Sequence, residues 1–214
     1  MASMVVGCGS KEEAAAPAPE VAAVESDLAY VKEKGVLVVG ITDFAPMDYK
    51  NEDGEWIGFD ADMAKYFGGK LGVEVEFVEI DWDNKILELD AKSVDCIWNG
   101  MTLTDEVKAA MDCSNAYCNN AQVVIVPTAK AQDFQDVESL ADLTFAVEAG
   151  SAGEAEATAL GLNCTPVKAQ SDALMEVAAG TSDAAVIDSL MAAAMVGPDT
   201  GYADLTYTVP LNSE

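Results

Sequence analysis

The chain has 214 residues, half of them apolar, with 38 acidic side chains against 11 basic ones and no histidine. A formal charge of −27 excludes a phosphate-binding surface of clustered Lys and Arg, so no nucleic-acid partner is expected, and an anionic membrane surface is equally disfavoured as a docking site. Without His the commonest general base and metal ligand is gone, which excludes His-containing triads and leaves any zinc site to Cys or carboxylates; no metal and no cofactor are expected.

The length suits one large domain or two of about 100 residues each, and the apolar content supports a packed core. Residues 1–25 are expected to lie outside it. Met1 to Gly7 is small and apolar and ends at Cys8. Val5-Val6-Gly7-Cys8 resembles a bacterial lipobox, which would make Cys8 the lipidated residue and the preceding segment the end of a signal. Gly9 to Glu25 is rich in Ala, Pro and Glu and reads as a solvated tether. No run of 18 apolar residues occurs, so a lipid at Cys8 is the only membrane attachment predicted.

A short helix is predicted over Ser26 to Lys34, followed by a strand, Val36 to Ile41, whose unbroken apolar run suits burial on both faces. Gly58-Phe59-Asp60-Ala61-Asp62-Met63 opens a helix, with Asp60 as candidate N-cap, Asp62 in the positive first turn and either Gly68-Gly69 or Gly72 at the close. Val73 to Val78 alternates as a second strand. A helix over Asn84 to Ala91, a third strand over Val94 to Trp98 and a helix over Asp105 to Met111 follow. Ala121 to Pro127 is a strand ended by Pro. The plan then recurs: strand Leu143 to Val147, a glycine turn at Glu148 to Gly153, a helix from near Glu154, strand Cys164 to Val167, helix Ser171 to Ala179 and a buried strand Ala184 to Ile187. Two strand–turn–helix sets of this kind argue for two α/β lobes facing each other.

Of the remaining cysteines, Cys96 lies in an apolar run and is expected in the core. Cys113 and Cys118, five apart, are close enough for a loop disulfide where geometry allows. No Cys-x-x-Cys pair supports a metal site.

Gly58–Met63 and the later Asn99-Gly100-Met101-Thr102-Leu103-Thr104 both fall where a strand hands over to a helix, the usual ligand edge of an α/β sheet. Together they closely resemble the signature of extracytoplasmic solute-binding proteins of polar amino acid ABC importers, with Ala61 and Phe67 as mild departures. The resemblance runs from about Gly35 to Ser213. It implies a two-lobed periplasmic-binding-protein-like fold (type II), with lobe 1 over 26–122, lobe 2 over 123–208, and a return crossover beginning at 209–214. Relatives continue with a return strand and helices, so the chain reads as a fragment lacking the closing part of lobe 1, with apolar surface exposed there.

The resemblance also assigns a site. Phe44 and Trp82 match two aromatic walls of the cleft, Asn99, Gly100, Met101 and Thr102 supply lobe 1 backbone and hydroxyl contacts, and Ser151 and Ala152 form the facing turn of lobe 2. Asp188 matches the carboxylate that receives the ligand's α-ammonium. Trp98 is expected in the core. Glu148 and Asp43 are within possible reach but read as structural or solvated. One position departs: the family's carboxylate-clamping Arg is Val107 here, and the neighbouring Lys108 points about 100° around the helix. The implied function is a lipid-anchored, monomeric binding protein that closes about the Ala121–Pro127 region on a small polar solute and delivers it to an ABC permease. A ligand-sensing module, and a dehydratase-like enzyme on the same scaffold using Glu148 or Asp43 as acid, are the alternatives.

Overall fold

The computed structural model describes residues 26–213. The expectations for residues 1–25, including lipidation of Cys8, lie outside the described residues. The chain opens with α1 (Asp27–Lys34), whose first turn is capped by Ser26 and whose end turns at Gly35 with φ 78°. It delivers β1 (Val36–Ile41), the centre of a three-stranded parallel sheet between β4 (Glu74–Glu79) and β5 (Cys96–Ile97). Val39 and Ile41 are fully buried, as the unbroken apolar run requires. β5 is shorter than Val94 to Trp98, although Asp95 N and Trp98 N still donate to Val38 O and Gly40 O at its two ends.

A small hairpin, β2 (Tyr49–Lys50) with β3 (Trp56–Ile57), was not predicted. Its turn is made by Asn51, whose Oδ1 accepts from the amides of Asp53 and Glu55, and by Gly54 at φ 78°. The hairpin hands over to α2 (Phe59–Leu71) through Gly58, which stands as N-cap with φ 117° and ψ 176°. Asp60 is therefore not the N-cap; it lies inside the first turn, fully buried. Only glycine suits this backbone region, and a Cβ at Gly58 would stand 2.4 Å from Met47 O. Gly58→Ala is expected to cost about 2–4 kcal/mol, read as a fall in melting temperature of roughly 5–15 °C; an unchanged melting temperature would show that the α2 entry can relax.

The second sheet has five strands in the order β10–β6–β9–β7–β8: β6 (Gln122–Pro127), β7 (Thr144–Glu148), β8 (Asn163–Val167), β9 (Ala184–Asp188) and β10 (Leu205–Pro210). β7 runs parallel to β8 and β9, while β6 runs antiparallel to both β9 and β10. Strand alternation divides the core in two. Ile125, Ala146 and Ile187 face one cluster with Leu174 of α6 (Gln170–Ala179) and Met191 of α7 (Ser189–Met195). Val124, Phe145, Val147 and Val186 face the other, with Ala157 of α5 (Ala152–Ala159). Phe44 and Met47, from the loop after β1, join the first of these clusters, so the two sheets share a core at their junction.

Because β6 is hydrogen-bonded on both edges, it is part of the second sheet's rigid frame and does not suit the bending expected near Ala121–Pro127. The chain passes between the sheets through the irregular stretch 111–121. Tyr117 in this stretch stacks on Phe59 and donates to Asp60 Oδ2 at 2.9 Å. Cys113 and Cys118 on the same stretch are free, exposed thiols, and Cys96 is a half-buried free thiol against the first sheet's core.

Candidate functional site

The carboxyl ends of β1, β5, β7 and β9 converge on one cleft between the sheets. Phe44, Trp82, Asn99, Gly100, Met101, Thr102, Ser151, Ala152 and Asp188 all line it, joined by Val107, Glu148 and residues the sequence reading had not named: Lys85, Ile86, Glu106 and Gln170. The cavity is about 140 Å³, well below the roughly 300–1,000 Å³ of drug-sized pockets, which limits an occupant of this conformation to a small solute. Asp43 and Lys108 are exposed and stand outside the lining. Trp98 packs against the first sheet's core and meets Phe67 edge to face.

Each wall is held by identifiable contacts. Asn99 is buried, its Oδ1 accepting from Thr42 N and its Nδ2 donating to Thr42 Oγ1, both at 2.7 Å. Its side chain thus joins β5 to β1, so what Asn99 can offer the cavity is backbone. Gly100 follows at φ 54°, and a Cβ there would come within 2.8 Å of the Phe44 ring; glycine lets the ring approach the chain closely. Thr104 caps α4 (Asp105–Ala110) through its hydroxyl, which places Val107 inward and buried.

On the facing side Ser151 caps α5, its Oγ accepting from Glu154 N at 3.1 Å while Glu154 Oε2 accepts from Gly150 N at 2.7 Å. Asp188, at the end of β9, is 7% exposed. Its Oδ1 accepts from Gln122 Nε2 at 2.9 Å and from Asn120 Nδ2, and its Oδ2 from Gln170 Nε2. Gln170 Oε1 in turn accepts from Asp188 N at 2.8 Å. Three amide side chains therefore fix one carboxylate. Nearby Glu148 is buried, and that burial, reinforced by the Asp188 carboxylate, pushes its pKa up to about 8.

Two cross-cleft contacts close the site. Lys85 Nζ donates to Gly150 O at 2.9 Å and to Trp82 O at 3.2 Å, and Lys168 pairs with Asp81 at 3.2 Å. Gly150, at φ 70°, lets the turn press against Asp83, where a Cβ would stand 2.8 Å from Asp83 Cα. No grouping of three or more metal-ligating side chains is present among the described residues, and no helix there is long and apolar enough to cross a membrane.

The family model for bacterial extracellular solute-binding proteins, family 3, matches residues 37–184. The chain belongs to this family. Among curated relatives, the arginine-binding extracellular protein ArtP of Bacillus subtilis is 30% identical over 164 residues, 74% of this chain and 63% of ArtP. The chain thus spans less than two thirds of that relative's length. Among solved structures, holo ArgBP from T. maritima superposes with a TM-score of 0.81 at 34% identity, over 87% of this chain and 82% of that one. An ancestral amino acid-binding protein described as a precursor of cyclohexadienyl dehydratase gives 0.75 at 34% identity, over 78% and 76%. These likenesses agree with the two-sheet α/β architecture, the periplasmic-binding-protein-like fold.

Proposed function

We propose that this protein is the solute-binding component of an ABC importer and that the cleft takes an amino acid or similar polar solute, cationic amino acids foremost. The carrying observation is the Asp188 carboxylate, buried at the cleft wall and aligned by three amides, in a lining it shares with Phe44 and Trp82. A fixed carboxylate suits an α-ammonium, and an aromatic wall suits a planar or cationic side chain. Glu106 and Asp188 against Lys85 make the lining net acidic at neutral pH, where Glu148 keeps its proton, and this favours a cation over an acidic amino acid. Relatives whose names specify arginine are in keeping with that preference. In this reading Asn99 to Thr102 contribute backbone and hydroxyl groups, Ser151 and Ala152 the facing turn, and lipidation at Cys8 would tether a monomer beside its permease.

Isothermal titration with the twenty L-amino acids tests it. Saturable one-to-one binding is expected, tightest for arginine or lysine, with no consumption of ligand. Absence of heat with every amino acid would overturn the reading. A second reading, an enzyme, draws on the raised pKa of Glu148 and on the likeness to a dehydratase precursor; chemical conversion of the bound compound would favour it over simple binding.

A further inference from the structure

All 11 basic residues of the chain are lysines, so no arginine is available anywhere to grip a carboxylate by its two-pronged fork. Of the described lysines only Lys85 is not exposed, at 8%, and among the described residues it is the only basic one lining the cleft. A lysine buried to this degree is uncommon unless an anion meets it. Here both of its hydrogen bonds go to neutral carbonyls, Trp82 O and Gly150 O, and its ammonium rests 4.8 Å over the Trp82 ring. Burial lowers its pKa, opposed by the charges of Glu106, Glu148 and Asp83, so the cationic form is held at a cost that a bound anion would relieve. Glu106, the first of those facing charges, is the chain neighbour of Val107.

Resting on the binding reading above, we propose that Lys85 is the residue that selects ligands carrying a free carboxylate. It reaches the cleft from α3 (Lys85–Asp90), a different helix from the one bearing Val107, and supplies the positive charge that valine cannot. In this structure the ammonium rests on carbonyl oxygens of both sides, Trp82 and Gly150. A ligand carboxylate takes over those donors, and the charge-assisted bond is stronger than the carbonyl bonds it replaces. The ligand is then a zwitterion spanning the cleft, its ammonium toward Asp188 and its carboxylate toward Lys85.

The test is calorimetric, on the full chain, with L-arginine, L-histidine and L-glutamine, each paired with its methyl ester. The wild type is expected to prefer the free acid by about tenfold or more. In Lys85→Met the preference should fall to within about threefold, with the ester's affinity kept, and a Val107→Arg change added to Lys85→Met should restore it. Lys85→Gln, which keeps hydrogen bonding without charge, should lose the preference as well and serves if the methionine variant is unstable. An acid-to-ester ratio unchanged by these variants would overturn the proposal. So would acid and ester weakening in parallel, which would make Lys85 only a latch between the sheets. Equal binding of acid and ester by the wild type would overturn the Lys85 assignment and leave the binding reading standing, whereas no heat with any acid or ester would overturn both.

Discussion

Asp188→Ala is expected to weaken amino acid binding by about 30- to 1,000-fold, the equivalent of roughly 2–4 kcal/mol for losing a buried charge-assisted contact. The size follows from preorganisation. Asn120, Gln122 and Gln170 already hold both carboxylate oxygens, so a ligand ammonium meets an acceptor whose orientation costs nothing further at binding. The same three amides complicate the alanine variant, because Gln122 and Gln170 lose this acceptor in a buried setting and Asn120 in a half-buried one, at about 1–3 kcal/mol for each buried group. They also belong to three different pieces of the molecule: the crossing stretch 111–121, strand β6 and helix α6. Asp188→Ala is therefore expected to lower the melting temperature too. Asp188→Asn separates the two effects, since it keeps shape and some acceptor capacity while removing the charge. Titration should show a loss of about tenfold or more in the asparagine variant, with a melting temperature much closer to wild type than that of the alanine variant. An asparagine variant that binds within threefold of wild type would move the ammonium contact to another carboxylate, with Glu148 the nearest candidate.

The strands and most helices were legible because their signals are local. The apolar run Val36 to Ile41 and the alternation from Val73 to Val78 each act within a few residues, whereas of the candidate stops Gly68-Gly69 and Gly72 only Gly72 ends the helix. The nine candidate positions could be placed at strand ends by their motif, and they do gather in one cavity. What stayed hidden depends on distant partners. Lys85 in Asp83-Asn84-Lys85-Ile86 looks like any surface lysine of a helix start, and only the approach of Gly150, 65 residues later, buries it. Gln170 gives no sign that it will clasp Asp188. Asp60 has the chemistry of an N-cap, but the close packing of Gly58 on Met47 moves the helix start two residues earlier and carries Asp60 inside. The β2–β3 hairpin was the one local feature within reach, since Asn51-Glu52-Asp53-Gly54 has the turn chemistry that such hairpins use.

Asp48→Asn is expected to stabilise the protein at alkaline pH. Asp48 is completely buried, and among the described residues neither of its carboxylate oxygens makes a well-formed hydrogen bond. Burial, then the neighbouring Asp60 carboxylate, raises its pKa from 3.8 to about 8, with only weak relief from the Ala61 amide. The sign follows from proton counts. Between about pH 4 and about pH 8 the folded chain keeps a proton that the unfolded chain has released, so this residue's contribution to stability declines as pH rises, by about 1.4 kcal/mol per unit at most. Above about pH 8 both states are ionised and the decline stops. Asparagine never ionises, so the variant should match wild type near pH 4 and exceed it by roughly 2–5 kcal/mol at pH 8. Wild type alone cannot isolate this, because a chain of charge −27 loses stability with rising pH through general repulsion, and Glu148, also raised to about 8, adds a slope of the same sign. Urea unfolding of both proteins at pH 4.5, 6 and 8 gives the difference curve that does. The consequence reaches the cleft, since the Asp48 backbone exchanges hydrogen bonds with Phe44, N to O in both directions at 2.6 and 2.9 Å. Ionising Asp48 therefore loads the turn that holds the aromatic wall, so the asparagine variant should bind ligand as wild type does at pH 6, where Asp48 keeps its proton, and more tightly above about pH 8. A difference curve flat across pH would place the Asp48 proton elsewhere, and a variant less stable at pH 8 would mean that the carboxylate carries a structural bond outweighing its burial.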